Sequence, residues 1–233
     1  MRKVIIAILS IVIIISSAVI FNKCYLYYKD DKVYSELQEY KPDSAVLSSE
    51  QECSENELLK INSDYKFWLT IDNTEVDYPV VQCDNNDYYL SHNFNKEESI
   101  YGTLFVDYIN NIEIDKNLVI YGHNMRDGSM FNSLKKYKDE QFFLNNDIKI
   151  IDKDGVQEIY EVFSVYVIPA TELSFKCSFK DEEEYENYIK ELSDKSLYYK
   201  DIEITNTKEE DNIITLVTCN YEYNDARLII HAK

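Results

Sequence analysis

The chain has 233 residues, 45% of them hydrophobic, which suits one folded domain with a sizeable core plus an appendage. Its 43 acids outweigh 24 bases to give a net charge of −19. A surface that negative repels phosphate backbones and argues against nucleic-acid binding. No pair among the five cysteines has C-x-x-C spacing, so neither a zinc site nor a dithiol redox motif is indicated.

Val4 to Phe21 is an uncharged apolar run of 18 positions (21 − 4 + 1). At about 1.5 Å per residue it reaches roughly 27 Å, just enough for a bilayer core. Arg2 and Lys3 precede it, as in a signal sequence or a signal anchor. Ser16-Ser17-Ala18 imitates a cleavage site, but the apolar run continues beyond it, which favours an uncleaved anchor over residues 1–28. Lys23, Lys29 and Lys32 follow the run, so counting basic residues does not orient it. Val33, Leu37 and Tyr40 then fall at i, i+4 and i+7, an amphipathic helix that Pro42 ends. Residues 29–56 read as a helical stalk and linker, with Lys41 to Gln51 as the joint. Ser54-Glu55-Asn56-Glu57 is a capping box opening a short helix through Leu58, Leu59 and Ile61.

After Asp64 the period changes to two: Phe67, Leu69 and Ile71 alternate with Trp68 and Thr70. Asp72-Asn73 signals a turn, and Thr74 to Val81 reads as the return strand. Further strands are expected at Gly102 to Asp107, Asn117 to Tyr121, Asp147 to Ile151 and Val156 to Val167, with Asp154-Gly155 as a hairpin turn. Asp181 and Glu184 cap a late helix whose stripe is Tyr185, Tyr188, Ile189 and Leu192. Ile213 to Cys219 and Arg227 to Ala232 close the chain. Eight strands with local helices, and no repeating strand–helix–strand unit, predict a mainly β fold: a mostly antiparallel barrel or sandwich with peripheral helices.

The last two strands carry the chemistry. Along the first, Ile213, Thr215, Val217 and Cys219 share one face; along the second, Arg227, Ile229 and His231 share one face. A hairpin symmetric about Tyr223 pairs positions that sum to 446, which sets Cys219 opposite Arg227. Directly opposed Cβ atoms lie about 4.5–5.5 Å apart, so a guanidinium would sit beside the sulfur. An unassisted thiol is only a few per cent thiolate at neutral pH, so a nucleophilic cysteine needs a base or a cation nearby. Three histidines compete for that role. His92 lies in a polar loop, His231 shares the parity of Arg227, and His123 ends a strand, where a side chain is presented on a rigid support. Cys24, Cys53, Cys83 and Cys177 read as structural or incidental.

Thr215-Leu216-Val217-Thr218-Cys219 resembles the TLxTC signature of sortases, the membrane-anchored cysteine transpeptidases of Gram-positive bacteria. The YGHN strand end at His123 and the arginine after the cysteine match the same family. Tyr78-Pro79-Val80-Val81-Gln82, the stretch from Asp84-Asn85 to Leu90, Gly102 to Asp107, Gly122-His123-Asn124-Met125 with Met130-Phe131, and the capped helix at 181–192 are similar to class B members. The likeness runs from about Glu57 to Lys233, so 57–233 is expected to be the catalytic domain, an eight-stranded sortase-like β-barrel with N-terminal helices and a helix before the penultimate strand.

The resemblance implies that Cys219 is the nucleophile, His123 the general acid or base, and Arg227 the stabiliser of the substrate carbonyl and oxyanion. It implies cleavage of a C-terminal sorting motif after Thr in a secreted surface protein, through a thioacyl-enzyme, then transfer to an amine of a peptidoglycan precursor. Asn86 and Leu90 match positions lining the substrate groove. Val217, Thr218 and Asn220 flank the nucleophile and are expected to touch substrate, with Val217 standing where class B members often carry Ser. Asp225 sits where some relatives have an acid proposed to assist histidine. No metal or cofactor is expected. The implied location is the cell membrane, single-pass, with membrane lipid around the N-terminal helix and the catalytic domain on the extracellular face. A pilin-polymerising sortase and a membrane-tethered non-catalytic scaffold are the alternatives. The first commonly carries an Asp-Pro lid, and here Pro42-Asp43 has the reverse order.

Overall fold

A computed structural model of the chain describes residues 2–42, 57–152, 155–200 and 212–233. Helix α1 (Arg2–Leu37) is continuous. Nothing between the apolar run and the amphipathic segment breaks a helix, so the expected anchor and the first residues of the stalk, to Leu37, form one rod. It is long and apolar enough to cross a membrane, and its apolar window is not buried against the domain. Its last turns are different: Asp30, Val33, Tyr34 and Leu37, at i, i+3, i+4 and i+7, are buried. The start of the segment expected as a stalk, through Val33, Tyr34 and Leu37, therefore packs into the core of the domain. Lys41 ion-pairs with Asp77 at 2.7 Å. Residues 43–51 of the expected joint, and the capping residues 54–56, lie outside the described residues; 57–61 is helical as expected.

The strands are β1 (Tyr65–Ile71), β2 (Asp77–Val81), β3 (Leu104–Val106), β4 (Asn117–Tyr121), β5 (Ile148–Asp152), β6 (Gln157–Tyr160), β7 (Val162–Pro169), β8 (Ile213–Asn220) and β9 (Ala226–Ala232). Helix α2 (Glu140–Asn145) precedes β5, and α3 (Glu182–Asp194) precedes β8. Asp181 caps α3 by accepting from the Glu184 N–H at 2.9 Å, as the sequence predicts. The nine strands form one sheet in the order β6-β5-β1-β2-β3-β4-β8-β9-β7, curled into a nearly closed barrel. Pairing is antiparallel except at β2–β3 and β4–β8, which are parallel.

Among the described residues there are nine strands rather than eight, because the segment read as Val156 to Val167 changes partner at Glu161. β6 pairs with β5, and β7 pairs with β9. Between them Glu161 exchanges two main-chain hydrogen bonds with Lys233, at 2.7 and 3.0 Å.

The barrel interior is filled from the even face of β4, β8 and β9, by Leu118, Ile120, Ile214, Leu216, Leu228 and Ile230, together with Leu69, Leu104 and Phe131. The odd face packs outward. Val119, Val217, Ile229 and Tyr166 form a second cluster, covered by Leu173, Phe175 and Cys177 from the segment after β7. α3 covers a third, Phe163 and Ile213. Both faces of β8 are thus buried, which explains its continuous β-branched sequence.

Candidate active site

The parallel register of β4 on β8 is constant: Asn117 faces Ile213, Val119 faces Thr215 and Tyr121 faces Val217. Each pair is 96 residues apart (217 − 121). His123 and Cys219 are also 96 apart (219 − 123), so continuing that register by two residues brings them level. Cys219 is paired directly with Arg227 across the antiparallel β8–β9 ladder, with Val217 opposite Ile229 and Thr215 opposite His231. This is the hairpin register expected from the sequence. His123, Cys219 and Arg227 therefore form one row across three neighbouring strands, on the outward face and at its solvent end.

All three line a cleft of about 390 Å³ with Asn86, Leu90, Phe105, Tyr121, Gly122, Leu173, Val217 and Thr218. Cys219, His123 and Arg227 are each half-buried, so they are supported from below and open above. The His123 Nε2 lies 2.7 Å from the Leu90 carbonyl oxygen. A carbonyl only accepts, so Nε2 is the donor in this bond. The Arg227 Nη1 donates to the Ala226 carbonyl at 3.1 Å. Among the described residues no carboxylate lies within ion-pair distance of it, so the guanidinium keeps its charge and most of its donors for a ligand.

The walls are fixed by hydrogen bonds. Asn124 Nδ2 donates to the Cys219 carbonyl at 2.6 Å, and Asn132 Nδ2 donates to Asn124 Oδ1 at 2.7 Å. Thr218 Oγ1 donates to the Gly122 carbonyl at 2.8 Å. A Cβ on Gly122 would stand 2.4 Å from Leu104 Cδ2 and 2.6 Å from Phe131 Cδ2, so the strand end before His123 has no room for a side chain. Tyr121 donates to Asp107 Oδ2 at 2.9 Å; burial, then the Asp107 charge, push its phenol well above the usual range. Asn86 Oδ1 accepts from the Tyr108 N–H at 3.0 Å, which sets the side of the cleft beside Leu90.

The remaining candidates fall elsewhere. Asn220 does not line the cleft: its Oδ1 accepts from the Glu222 N–H at 3.3 Å, and its Nδ2 is buried and meets no partner among the described residues. Asp225 is exposed, in a left-handed conformation (φ 59°), and holds the turn through its carbonyl, which accepts from the Ala170 N–H at 2.8 Å. His92 stacks on Tyr88 with centroids 4.0 Å apart. His231 is fully buried between Thr215 Oγ1 at 2.8 Å and Tyr166 Oη at 2.9 Å. Burial, then the Lys195 charge, push its pKa down to about 3. Cys83 donates to the Asn85 carbonyl, Cys177 packs in the outward cluster and Cys24 is exposed on α1; Cys53 lies outside the described residues. Asn124, Asn132, Phe105, Tyr121 and Leu173 are not among the site residues that the sequence marks. The Asn in GHN was the available signal for the first; the others meet the site only through the fold. Among the described residues no group of three or more His, Cys, Asp or Glu is placed to hold a metal.

A family model described as a Sortase domain matches residues 69–233, well over half of the chain. The chain belongs to the sortase family. Its relatives include Sortase B of Listeria monocytogenes, 36% identical over 199 residues, covering 83% of this chain and 80% of that protein. Sortase B of Staphylococcus aureus is 30% identical over 238 aligned positions, covering 98% of this chain and 95% of that one. Among solved structures, a mutant form of Clostridium perfringens sortase B is similar with a TM-score of 0.79 at 40% identity, covering 88% of this chain and 97% of its own. A Staphylococcus aureus sortase B–substrate complex gives a TM-score of 0.77 at 26% identity, covering 90% and 97%. The sortase is thus a cysteine transpeptidase with sortase B enzymes as its relatives, and neither the pilin-polymerising nor the scaffold alternative is favoured.

Proposed function

We propose that this sortase cleaves a C-terminal sorting motif after Thr in a secreted surface protein and transfers the acyl group to a peptide amine of a cell-wall precursor. Cys219 is the nucleophile, His123 the acid–base and Arg227 the stabiliser of the oxyanion. The observation that carries this reading is the single row of the three side chains across β4, β8 and β9, opening on one cleft.

His123 takes the thiol proton and the Cys219 sulfur attacks the Thr carbonyl carbon. The carbonyl oxygen becomes an oxyanion facing the guanidinium of Arg227. Collapse breaks the peptide bond, and the imidazolium gives its proton to the departing amine, leaving a thioester on Cys219. The acceptor amine then loses its proton to His123, adds to the thioester, and expels the thiolate. The cleft is mostly apolar beyond these groups, through Leu90, Phe105, Leu173 and Val217, so the substrate is held largely by burial of its own apolar side chains. Helix α1 seats the enzyme in the membrane as a single span, with the catalytic domain on the extracellular face.

A library of five-residue sorting peptides, read by mass spectrometry with and without an added amine, tests the reaction. Cys219→Ala is expected to abolish both cleavage and transfer while leaving the domain folded. Retained turnover in that variant would rule the reading out. Protease added to intact cells tests the topology: the domain should be digested from outside.

A further inference from the structure

The buried stripe of α1 contains one acid. Asp30 is 1% exposed, and its Oδ2 accepts from the N–H groups of Ile100 at 3.0 Å and Tyr101 at 3.4 Å. One turn on, the Tyr34 hydroxyl donates to the Gly102 carbonyl and lies 3.1 Å from Thr103 Oγ1. Its ring stacks on Tyr101, with centroids 6.3 Å apart and planes at 14°. Two side chains of the helix thus hold four consecutive residues, 100–103. A carboxylate is a demanding choice for a buried position, because burial penalises its charge unless it is hydrogen-bonded. Helix docking alone needs only apolar residues.

The segment it holds is the back wall of His123. Gly102 has φ +62°, and a Cβ there would lie 2.4 Å from the Tyr89 carbonyl oxygen, 3.1 Å from that of Leu90 and 3.2 Å from His123 Cδ2. The chain is therefore packed against the imidazole ring and against the same Leu90 carbonyl that accepts from His123 Nε2. Thr103 N–H fastens the segment to the Tyr89 carbonyl at 3.0 Å. A second route runs through Tyr101, whose hydroxyl donates to Asp127 Oδ2 at 2.5 Å, four residues after His123. Burial opposes ionisation of Asp127, but the bonds from Tyr101 and Ser129 outweigh it and hold the carboxyl below its usual range.

We propose that Asp30 and Tyr34 are positioning residues for His123, acting through segment 100–103, so that the membrane-proximal turns of α1 belong to the catalytic apparatus. The proposal rests on His123 being the acid–base. Because α1 is continuous from the apolar run to Leu37, the seat in the membrane and the placement of His123 are two ends of one rigid element.

The test uses the full chain in detergent micelles, with Tyr34→Phe, Asp30→Ala, Asp30→Asn and His123→Ala. The substrate is the peptide selected by the library screen, and the His123 imidazole signal is followed by NMR. Tyr34→Phe keeps the ring and loses the hydroxyl bonds. Misplacement of a catalytic group by about 1 Å costs about 100-fold, so kcat is expected to fall roughly 10- to 100-fold, with KM little changed and the His123 signal moved. Asp30→Ala should behave alike, and Asp30→Asn, whose amide oxygen can accept from the same two N–H groups, should recover most of the rate. Wild-type kcat in folded Tyr34→Phe and Asp30→Ala, with His123→Ala inactive, would overturn the inference and leave the site intact. A fall in kcat that only tracks the unfolded fraction, with the His123 signal unmoved, would also overturn it. An active His123→Ala would instead overturn the reading of the site and this inference with it.

Discussion

Replacing Arg227 by Ala separates catalysis from stability more cleanly than any other change in the row. The side chain is half-buried, and among the described residues its one hydrogen bond is to the carbonyl of its own neighbour, Ala226, at 3.1 Å. Among the described residues no carboxylate pairs with it, so truncation strands no buried anion. Only the packing of its methylenes is lost, about 1 kcal/mol or less. In a domain of this size that lowers Tm by about 2–4 °C. The transition state loses much more. A donor aimed at a developing oxyanion contributes roughly 2.7–4 kcal/mol, so kcat/KM is expected to fall about 100- to 1,000-fold. Arg227→Lys restores charge without the planar fork, and should recover only part of that loss. Peptide cleavage followed by mass spectrometry gives the rates, and thermal unfolding by circular dichroism gives the stability. An Arg227→Ala enzyme within about tenfold of wild type would refute the oxyanion role. So would a loss of stability large enough to explain the loss of rate.

Three more outcomes are expected. His231 is held neutral in the folded protein, with its pKa pushed down from 6.5 to about 3. Below pH 6.5 the unfolded chain therefore binds a proton that the folded chain does not. This stabilisation is complete above pH 6.5 and declines towards pH 3, by up to about 1.4 kcal/mol per pH unit. Urea midpoints at pH 7, 6 and 5 should fall more steeply for wild type than for His231→Gln, and equal slopes would contradict the argument. Asn124→Ala removes the donor to the Cys219 carbonyl, so stability should drop by about 1–3 kcal/mol and the folded fraction should turn over more slowly; unchanged turnover would show that the bond does not position the nucleophile. Asp225→Asn keeps a residue suited to the left-handed turn, so rate and stability should stay within about twofold of wild type, and a large loss of rate with intact folding would restore a role for the acid.

Much of the site was legible because its key pairing is local. The β8–β9 hairpin has both strands in one short stretch, and alternation fixes which residues face each other. The cleft walls were not legible. Phe105 and Leu173 reach it from β3 and from the segment after β7, and nothing in their own neighbourhoods marks them. The strand predicted from Thr74 begins at Asp77 because Asn73 turns left-handed (φ 61°) and Thr74 bonds back to the Ile71 carbonyl at 2.7 Å. The one predicted from Gly102 begins at Leu104, because Gly102 is itself left-handed. The split at Glu161 was hidden for another reason: alternation reports which face a residue takes, never which strand it pairs with. Asp30 is not legible in the sequence, because an acid in an apolar stripe reads as a surface position and its partners Ile100 and Tyr101 are 70 and 71 residues away.

His231 failed as a candidate base, yet its burial bears on how the row is kept. Cys219 faces the cleft only while β8 holds its register, and a slip of one residue would turn it to the barrel interior. Apolar packing guards weakly against that slip, since both faces of β8 are apolar and buried. The polar groups guard better. On the odd face, Asn117 of β4 accepts from Thr215 of β8 at 2.7 Å, Thr215 meets His231 of β9 at 2.8 Å, and His231 meets Tyr166 of β7 at 2.9 Å. This chain crosses β4, β8 and β9 as the row of His123, Cys219 and Arg227 does, and goes on to β7, four residues deeper along β8 (219 − 215). A slip would strand its members in an apolar layer, at about 1–3 kcal/mol for each group left unpaired. The buried histidine thus acts on the cysteine through register: it belongs to the lock that keeps His123, Cys219 and Arg227 level.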